Sequence, residues 1–321
     1  MGIRFDPELI LIKSVFLYVL TFIKHSAEPT LASANDLISL SRITSIVLQA
    51  SSPSVYHWSG IGTVSFKYVL QGEAMYKVNN RYLLADHDHY LVLNHQQPYE
   101  ILVDNKMATK TFCVFFGQHL VQDVIANQFR SFSQLLDDPM KTIFPSFDEK
   151  STPITPQLYQ KVIVLQNLLS SDDNEEMIKE KLHDLLEYLF NSNQNDADQK
   201  GLDCVRDTTK KELRKRLSVA IDFIRSMYGQ SISLEDISRA SCLSPNHLIR
   251  TFKKAYGTTP IQYAHNVRMQ KAKDYLMLSS LSIGDVCRKT GFSSLGTFSN
   301  NFMKYTGMAP GKYRNQKGDF E

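Results

Sequence analysis

The sequence is short of cysteine: its 321 residues include four, Cys113, Cys204, Cys242 and Cys287. No two of them form a C-x-x-C pair, and no Cys/His cluster has zinc spacing. Neither a structural zinc site nor a redox dithiol is therefore expected. Free thiols in a reducing cytosol are the simplest reading, which points to a cytoplasmic protein. A membrane-length apolar run is also lacking. The best candidate, "LILIKSVFLYVLTFI" from Leu9 to Ile23, is 15 residues long and is interrupted by Lys13. A bilayer needs ~20, and no clear small-residue cleavage site follows. The segment reads as an N-terminal helix packed on its own domain or on a partner subunit, with a membrane-associated segment or an upstream start-site artefact as the alternatives.

What is present is ordinary in bulk and uneven in distribution. A hydrophobic fraction of 43% with 21% charged residues suits a soluble globular protein of two or three domains. The net charge of +3 hides an asymmetry. Residues 210–321 hold 19 Lys+Arg against 8 Asp+Glu, a net of +11, while residues 1–209 hold 17 against 25, a net of −8. A basic C-terminal part indicates a polyanionic partner.

The pattern along the chain divides it in three. Residues about 60–120 alternate short strand-like runs ("VSFKYVL", "AMYKV", "RYLLA", "HYLVLN", "YEILV", "TKTFCVFF") with turn residues, among them Asn79-Asn80. Close, regular spacing of this kind indicates an antiparallel sandwich or barrel. "TPQLYQKVIVLQNLLSS" and "NEEMIKEKLHDLLEYLFN" then read as a helical hairpin over about 156–190, with Leu182, Leu185, Leu186 and Leu189 on one stripe. That stripe suits packing on the barrel or a dimer interface. "NSNQNDADQKGLD" is rich in turn formers, and 191–209 is expected to be a linker. The expected domains are thus 1–190 and 210–321.

The C-terminal part contains an internal repeat. Ser233 matches Ser282, Asp236 matches Asp285, Arg239 matches Arg288, and Leu243-Ser244 matches Phe292-Ser293; after a one-residue insertion, Phe252 matches Phe302, Gly257 matches Gly307, Pro260 matches Pro310 and Tyr263 matches Tyr313. Each copy starts with a serine cap and an acid three residues on. A short helix and a tight turn follow, and a second helix begins after Ser244 or Ser293. That helix is expected to bury Leu248, Phe252 and Tyr256 in the first copy, and Phe298 and Phe302 in the second. It stops at glycine, then proline. Helix, turn, helix is the unit that enters a DNA groove. Cys242 stands where the second copy has Gly291, so a positive φ there would strain it mildly. The 19 residues from Pro260 to Leu278 carry no helix breaker, so they would form a rod of about 28 Å. That is close to the ~34 Å between successive major-groove faces. It explains why one short helix gathers His247, Arg250, Lys253 and Lys254.

This arrangement resembles the AraC/XylS family of bacterial transcription regulators over about 210–315. The resemblance rests on "LSPNHLIRTFKKAYGTTPIQY", "RMQKAKDYL", "DVCRKTGF" and "FSNNFMKYTGMAPGKYR". It implies two helix-turn-helix subdomains on a long helix and double-stranded DNA as partner. The base-reading positions would fall on Asn246, Ile249 and Arg250 in the first copy and on Leu295, Gly296, Thr297 and Asn300 in the second, with Ser294 and Lys304 beside them. The chain departs from the family pattern at Asn300 and Met303, where arginine and lysine are usual. Asparagine suits adenine, whereas arginine suits guanine.

The front part resembles, by its strand-turn rhythm, the cupin-like effector domains often joined to this module. The overall expectation is therefore an α+β multidomain protein: a cupin-like antiparallel β-barrel with a helical hairpin, followed by an all-α double helix-turn-helix domain. Tyr56, His57, Trp58, Tyr68, Tyr76, Tyr90 and Tyr99 could line a pocket for a small-molecule effector, or could equally be core or surface. His87-Asp88-His89 lacks the following Glu of metal-binding cupins, so no metal or other cofactor is expected. No catalytic constellation is found. The reading is a DNA-binding regulator responding to an effector, with a homodimer expected and with RNA polymerase as a partner if it activates. The alternatives are a ligand-independent regulator whose front domain only dimerises, and a cupin enzyme with a DNA-binding tail.

Overall fold

The computed structural model describes residues 10–15, 45–52, 55–104, 109–129, 144–170, 175–198 and 204–316. The first half is one antiparallel sheet built from β1 (Ile10–Val15), β2 (Ser45–Ser52), β3 (Val55–Ile61), β4 (Ser65–Gln71), β5 (Glu73–Val78), β6 (Arg81–Asp86), β7 (His89–Leu93), β8 (Pro98–Asp104) and β9 (Thr109–Phe115). Its strand order is β1-β2-β9-β4-β7-β6-β5-β8-β3, and the two-residue β10 (Thr152–Pro153) pairs with β7. Asn79 and Asn80 take φ of 47° and 61° between β5 and β6, the geometry a two-residue hairpin needs.

The sheet curls into a half-barrel. β4 and β8 are four strand steps apart in the ladder, which would separate them by ~19 Å if flat. Instead, the ammonium of Lys67 on β4 lies 5.5 Å from the ring centre of Tyr99 on β8. The concave side encloses Val69, Tyr76, Leu91, Tyr99 and Val103. Helices α1 (Gln118–Phe129), α2 (Pro156–Ser170) and α3 (Glu175–Asp198) cover the opposite face of β2, β4, β7 and β9.

Three expectations are corrected. Residues 10–15 of the apolar N-terminal run form a strand rather than a helix. Ile10, Ile12 and Val15 are β-branched, and the run pairs register for register with β2, from Ile10 against Ala50 to Val15 against Ser45. The remainder of that run lies outside the described residues. The leucine stripe does not form a subunit interface: Leu185 is 0% and Leu189 2% exposed, both packed into the sheet's own core. Finally, the linker expected at 191–209 is largely helical. α3 runs on to Asp198 and α4 (Cys204–Ser226) starts soon after. The stretch 191–198 is polar but contains no glycine or proline, so nothing in it stops a helix.

The second half is α4 followed by α5 (Leu234–Ser241), α6 (Pro245–Tyr256), α7 (Pro260–Leu278), α8 (Ile283–Lys289), α9 (Leu295–Thr306) and α10 (Pro310–Asn315). These share one core around Ile237, Leu248, Phe252, Leu276, Val286, Phe298 and Phe302, to which Leu84 and Met75 of the sheet also contribute. Among the described residues no helix is long and apolar enough to cross a membrane.

Candidate nucleic-acid interface

The two repeat copies fold as paired helices, α5 with α6 and α8 with α9. The first begins with a complete capping box: Ser233 Oγ accepts from the Asp236 amide, and the Asp236 carboxylate accepts from the Ser233 amide. In the second copy, Ser282 accepts from the Asp285 amide at 3.0 Å. The tight turns take left-handed backbone at matching positions, φ 52° at Cys242 and 77° at Gly291. Ser244 caps α6 by backbone geometry alone. α9 is capped by Ser294 rather than the expected Ser293, because the inserted residue lengthens the turn by one. Both second helices end on a left-handed glycine, Gly257 and Gly307, as the sequence implies.

Inward residues fix the helices. Leu248, Phe252, Phe298 and Phe302 are all fully buried. Tyr256, expected to be buried, is 42% exposed and leans on Phe252 with ring centres 4.7 Å apart. α7 is the 19-residue rod, with Val267, Ala272, Tyr275 and Leu276 buried and Tyr263 half-buried. A Thr259–Gln262 capping box starts it.

Outward residues form the candidate interface. On α6, Asn246, Arg250, Lys253 and Lys254 are exposed, while His247 and Ile249 are half-buried. On or beside α9, Ser294, Leu295, Gly296, Thr297, Asn300 and Lys304 are exposed. Among the described residues the side chains of Arg250, Lys253, Lys254 and Lys304 have no ion pair or hydrogen bond. Three other cations of this half are tied down. Arg268 donates to the carbonyls of Tyr228 and Gln230, Arg314 donates to Leu281 O, and Arg288 pairs with Asp285 at 2.7 Å. Fixed cations hold the fold; the unpaired ones are available to a polyanion.

A second polar cluster, not found from sequence, joins the halves. Asp86, at the end of β6, takes Arg225 of α4 at 2.8 Å and Lys271 of α7 at 2.7 Å. Lys271 also reaches Glu73 of β5 at 2.9 Å, and Glu73 accepts from the Tyr228 and Tyr275 hydroxyls. Burial alone would raise the Asp86 carboxyl, but the Lys271 and Arg225 charges outweigh it and hold it well below the usual carboxylate range. Nearby, Asp222 of α4 accepts from Arg81 and from the Ser151 amide, yet burial pushes it up to about 7. Losing one partner of such a buried pair typically costs ~3–5 kcal/mol, because the other charge is stranded. Asp86 and Lys271 are 185 residues apart, so no local pattern reveals them. The only signal is an acid ending the apolar strand "RYLLAD".

The residues expected around an effector separate by face. Trp58, Tyr76 and Tyr99 share the concave side, with Tyr99 4.9 Å from Trp58 and 6.1 Å from Tyr76 between ring centres. Tyr68 and Tyr90 are on the helix-covered side with Phe66, and the Tyr68 hydroxyl donates to the His87 carbonyl. His57 is exposed and sits 3.5 Å from Glu100. Tyr56 is on β3, but its side chain lies outside those described. His87 and His89 face separate acids, Asp88 at 3.4 Å and Asp86 at 3.5 Å.

The geometry defines a class: two helix-turn-helix units on one rod, each with its second helix outward. Residues 237–316 match a family model described as a helix-turn-helix domain. The C-terminal region is an AraC-family helix-turn-helix domain. Relatives include the lactose operon transcription activator of Staphylococcus xylosus, 34% identical over 95 residues, covering 30% of this chain and 34% of that protein. Another is the bifunctional transcriptional activator/DNA repair enzyme AdaA of Bacillus subtilis (strain 168), 33% identical over 93 residues, covering 29% of this chain and 44% of that one. The match thus spans between a third and a half of these relatives. A solved transcriptional regulator with an AraC-type DNA-binding domain, from Chromobacterium violaceum, is 27% identical over 34% of this chain and 96% of its own, with a TM-score of 0.32.

Proposed function

We propose that the protein is a sequence-specific, double-stranded-DNA-binding transcription regulator whose affinity for its operator responds to a small molecule held by the half-barrel. The observation carrying the first part is the set of unpaired, exposed cations on α6, together with the exposed polar face of α9 on the second unit that packs on α7. Such cations gain free energy by displacing counterions from phosphate, and α6 and α9 can enter successive grooves. Support for the second part is the aromatic concave side of the sheet and the buried charge cluster that grips α4 and α7. A change in the sheet reaches the DNA-binding helices through that contact. Activation is the role printed for the two relatives, and an activator would take RNA polymerase as partner. The homodimer expected from the leucine stripe loses that support, since the stripe is core. Genome-wide mapping of bound sites, followed by titration of the full chain on a mapped site, tests the reading. Affinity should fall steeply with rising salt. Absence of binding at low salt would overturn it.

A further inference from the structure

The outward faces of α6 and α9 can be compared position by position. Leu248 and Phe252 of α6 stand fifty residues before Phe298 and Phe302 of α9, and all four are fully buried. The inner faces therefore set the register of the outer ones. In that register Arg250 is matched by Asn300, and Lys253 by Met303. A turn earlier, Asn246 and His247 are matched by Gly296 and Thr297. Lys254 alone keeps its kind, as Lys304. The α9 members of these pairs are all exposed, Met303 to 52%. Among the described residues the Asn300 amide has no hydrogen-bond partner.

The replacements all move in one chemical direction. In the major groove guanine shows two acceptors, which a guanidinium or an ammonium answers. α9 has no cation at either of its central outward positions, Asn300 and Met303. Adenine shows an acceptor beside a donor, which a side-chain amide matches on both counts. Thymine shows a C5-methyl group, which apolar atoms cover. Asn300 suits the first of these bases. The methyl of Thr297 and the flexible thioether of Met303 suit the second. Apolar atoms of Met303 that face water gain free energy by covering such a methyl.

Resting on the reading that α6 and α9 enter successive grooves, we propose that the DNA site is composite. A guanine-bearing half lies beneath α6. A half of A·T pairs lies beneath α9, with Thr297 and Met303 on thymine methyls and Asn300 on an adenine edge. Random-sequence duplexes enriched on the full chain give the preferred site, and the same enrichment on Arg250→Ala shows which half lies beneath α6. In the other half, thymines are then replaced by uracil, which keeps the base pair and removes only the methyl. Each replacement beneath Thr297 or Met303 should weaken binding by about threefold to fourfold, the worth of one buried methyl group. Met303→Gln, close in size but polar, should remove the penalty at one of these thymines. Asn300→Arg places in α9 the residue that α6 carries at the matching position, and should turn one adenine preference into a guanine preference of about tenfold. Uracil tolerated throughout, or a guanine-bearing second half, overturns the proposal. So does an Asn300→Arg variant that binds all duplexes more tightly alike, because that is phosphate contact rather than base readout. A sequence preference confined to the α6 half sinks α9 as a reader and leaves the regulator standing. A folded chain that enriches no sequence and binds no duplex at low salt sinks both.

Discussion

The two helix-turn-helix copies are alike inside and unlike outside. Phe252 and Phe302 occupy matching positions and are both fully buried, and Gly257 and Gly307 end their helices at φ 73° and 79°. On the outer faces, α6 presents Asn246, Arg250, Lys253 and Lys254, whereas α9 presents Leu295, Thr297, Asn300 and Met303 with Lys304 as its one cation. Packing holds the inner half to one solution, because core volume and left-handed turn positions admit few residues. The outer half answers only to what it touches. A repeat can therefore preserve its scaffold while its two copies diverge in chemistry.

The scaffold side of the comparison predicts the largest effects. Phe252→Ala and Phe302→Ala should each lower stability by ~3–5 kcal/mol, and by similar amounts, in urea denaturation of the full chain. A marked difference between them would show that the copies are not structurally equivalent. The outward side predicts inequality. Arg250→Ala should weaken a mapped operator by about tenfold to a hundredfold, the value of a good bidentate base contact. Asn300→Ala should cost less, with circular dichroism confirming that both variants fold. Equal losses would mean that α9 reads DNA as strongly as α6.

The turns sharpen the comparison further. A Cβ on Gly291 would sit 3.0 Å from the Tyr228 carbonyl at φ +77°, so Gly291→Ala should destabilise by about 1–2 kcal/mol. Cys242→Gly should act in the opposite sense and by less than about 1 kcal/mol, since it relieves a left-handed residue at some entropic cost. The caps give the smallest contrast. Ser294 accepts from the Thr297 amide at 3.4 Å, so Ser294→Ala should cost about 0.5–1 kcal/mol. Ser244 makes no side-chain cap bond, and Ser244→Ala should stay within ~0.5 kcal/mol. Thermal melts of the four variants rank them.

Legibility in the sequence follows the range of the interaction. The repeat, the rod from Pro260 to Leu278 and the outward placement of Arg250 and Asn300 all depend on neighbours within a helical turn or two. The hairpin turn at Asn79-Asn80 is equally local. Sequence and structure part where a distant partner decides. Residues 10–15 become a strand because β2 offers an edge some 35 residues away. Leu185 and Leu189 are core because the sheet reaches them. The tyrosines divided between two faces because strand alternation and sheet curl act together, and the direction of curl is not written in any one strand. The Asp86 cluster and the meeting of Lys67 with Tyr99 depend on contacts across whole domains.

The cluster at Asp86 has a mechanical meaning. Its grip falls on α7 through Lys271 and on α4 through Arg225, not on α6 or α9. Because α7 is the axle on which both repeats are mounted, a torque applied at Lys271 turns them as one body. The span between α6 and α9 stays fixed by the rod, like two teeth on a single key. On the proposed function, a shift of the sheet would alter the angle at which that key meets the groove, not the distance between its teeth.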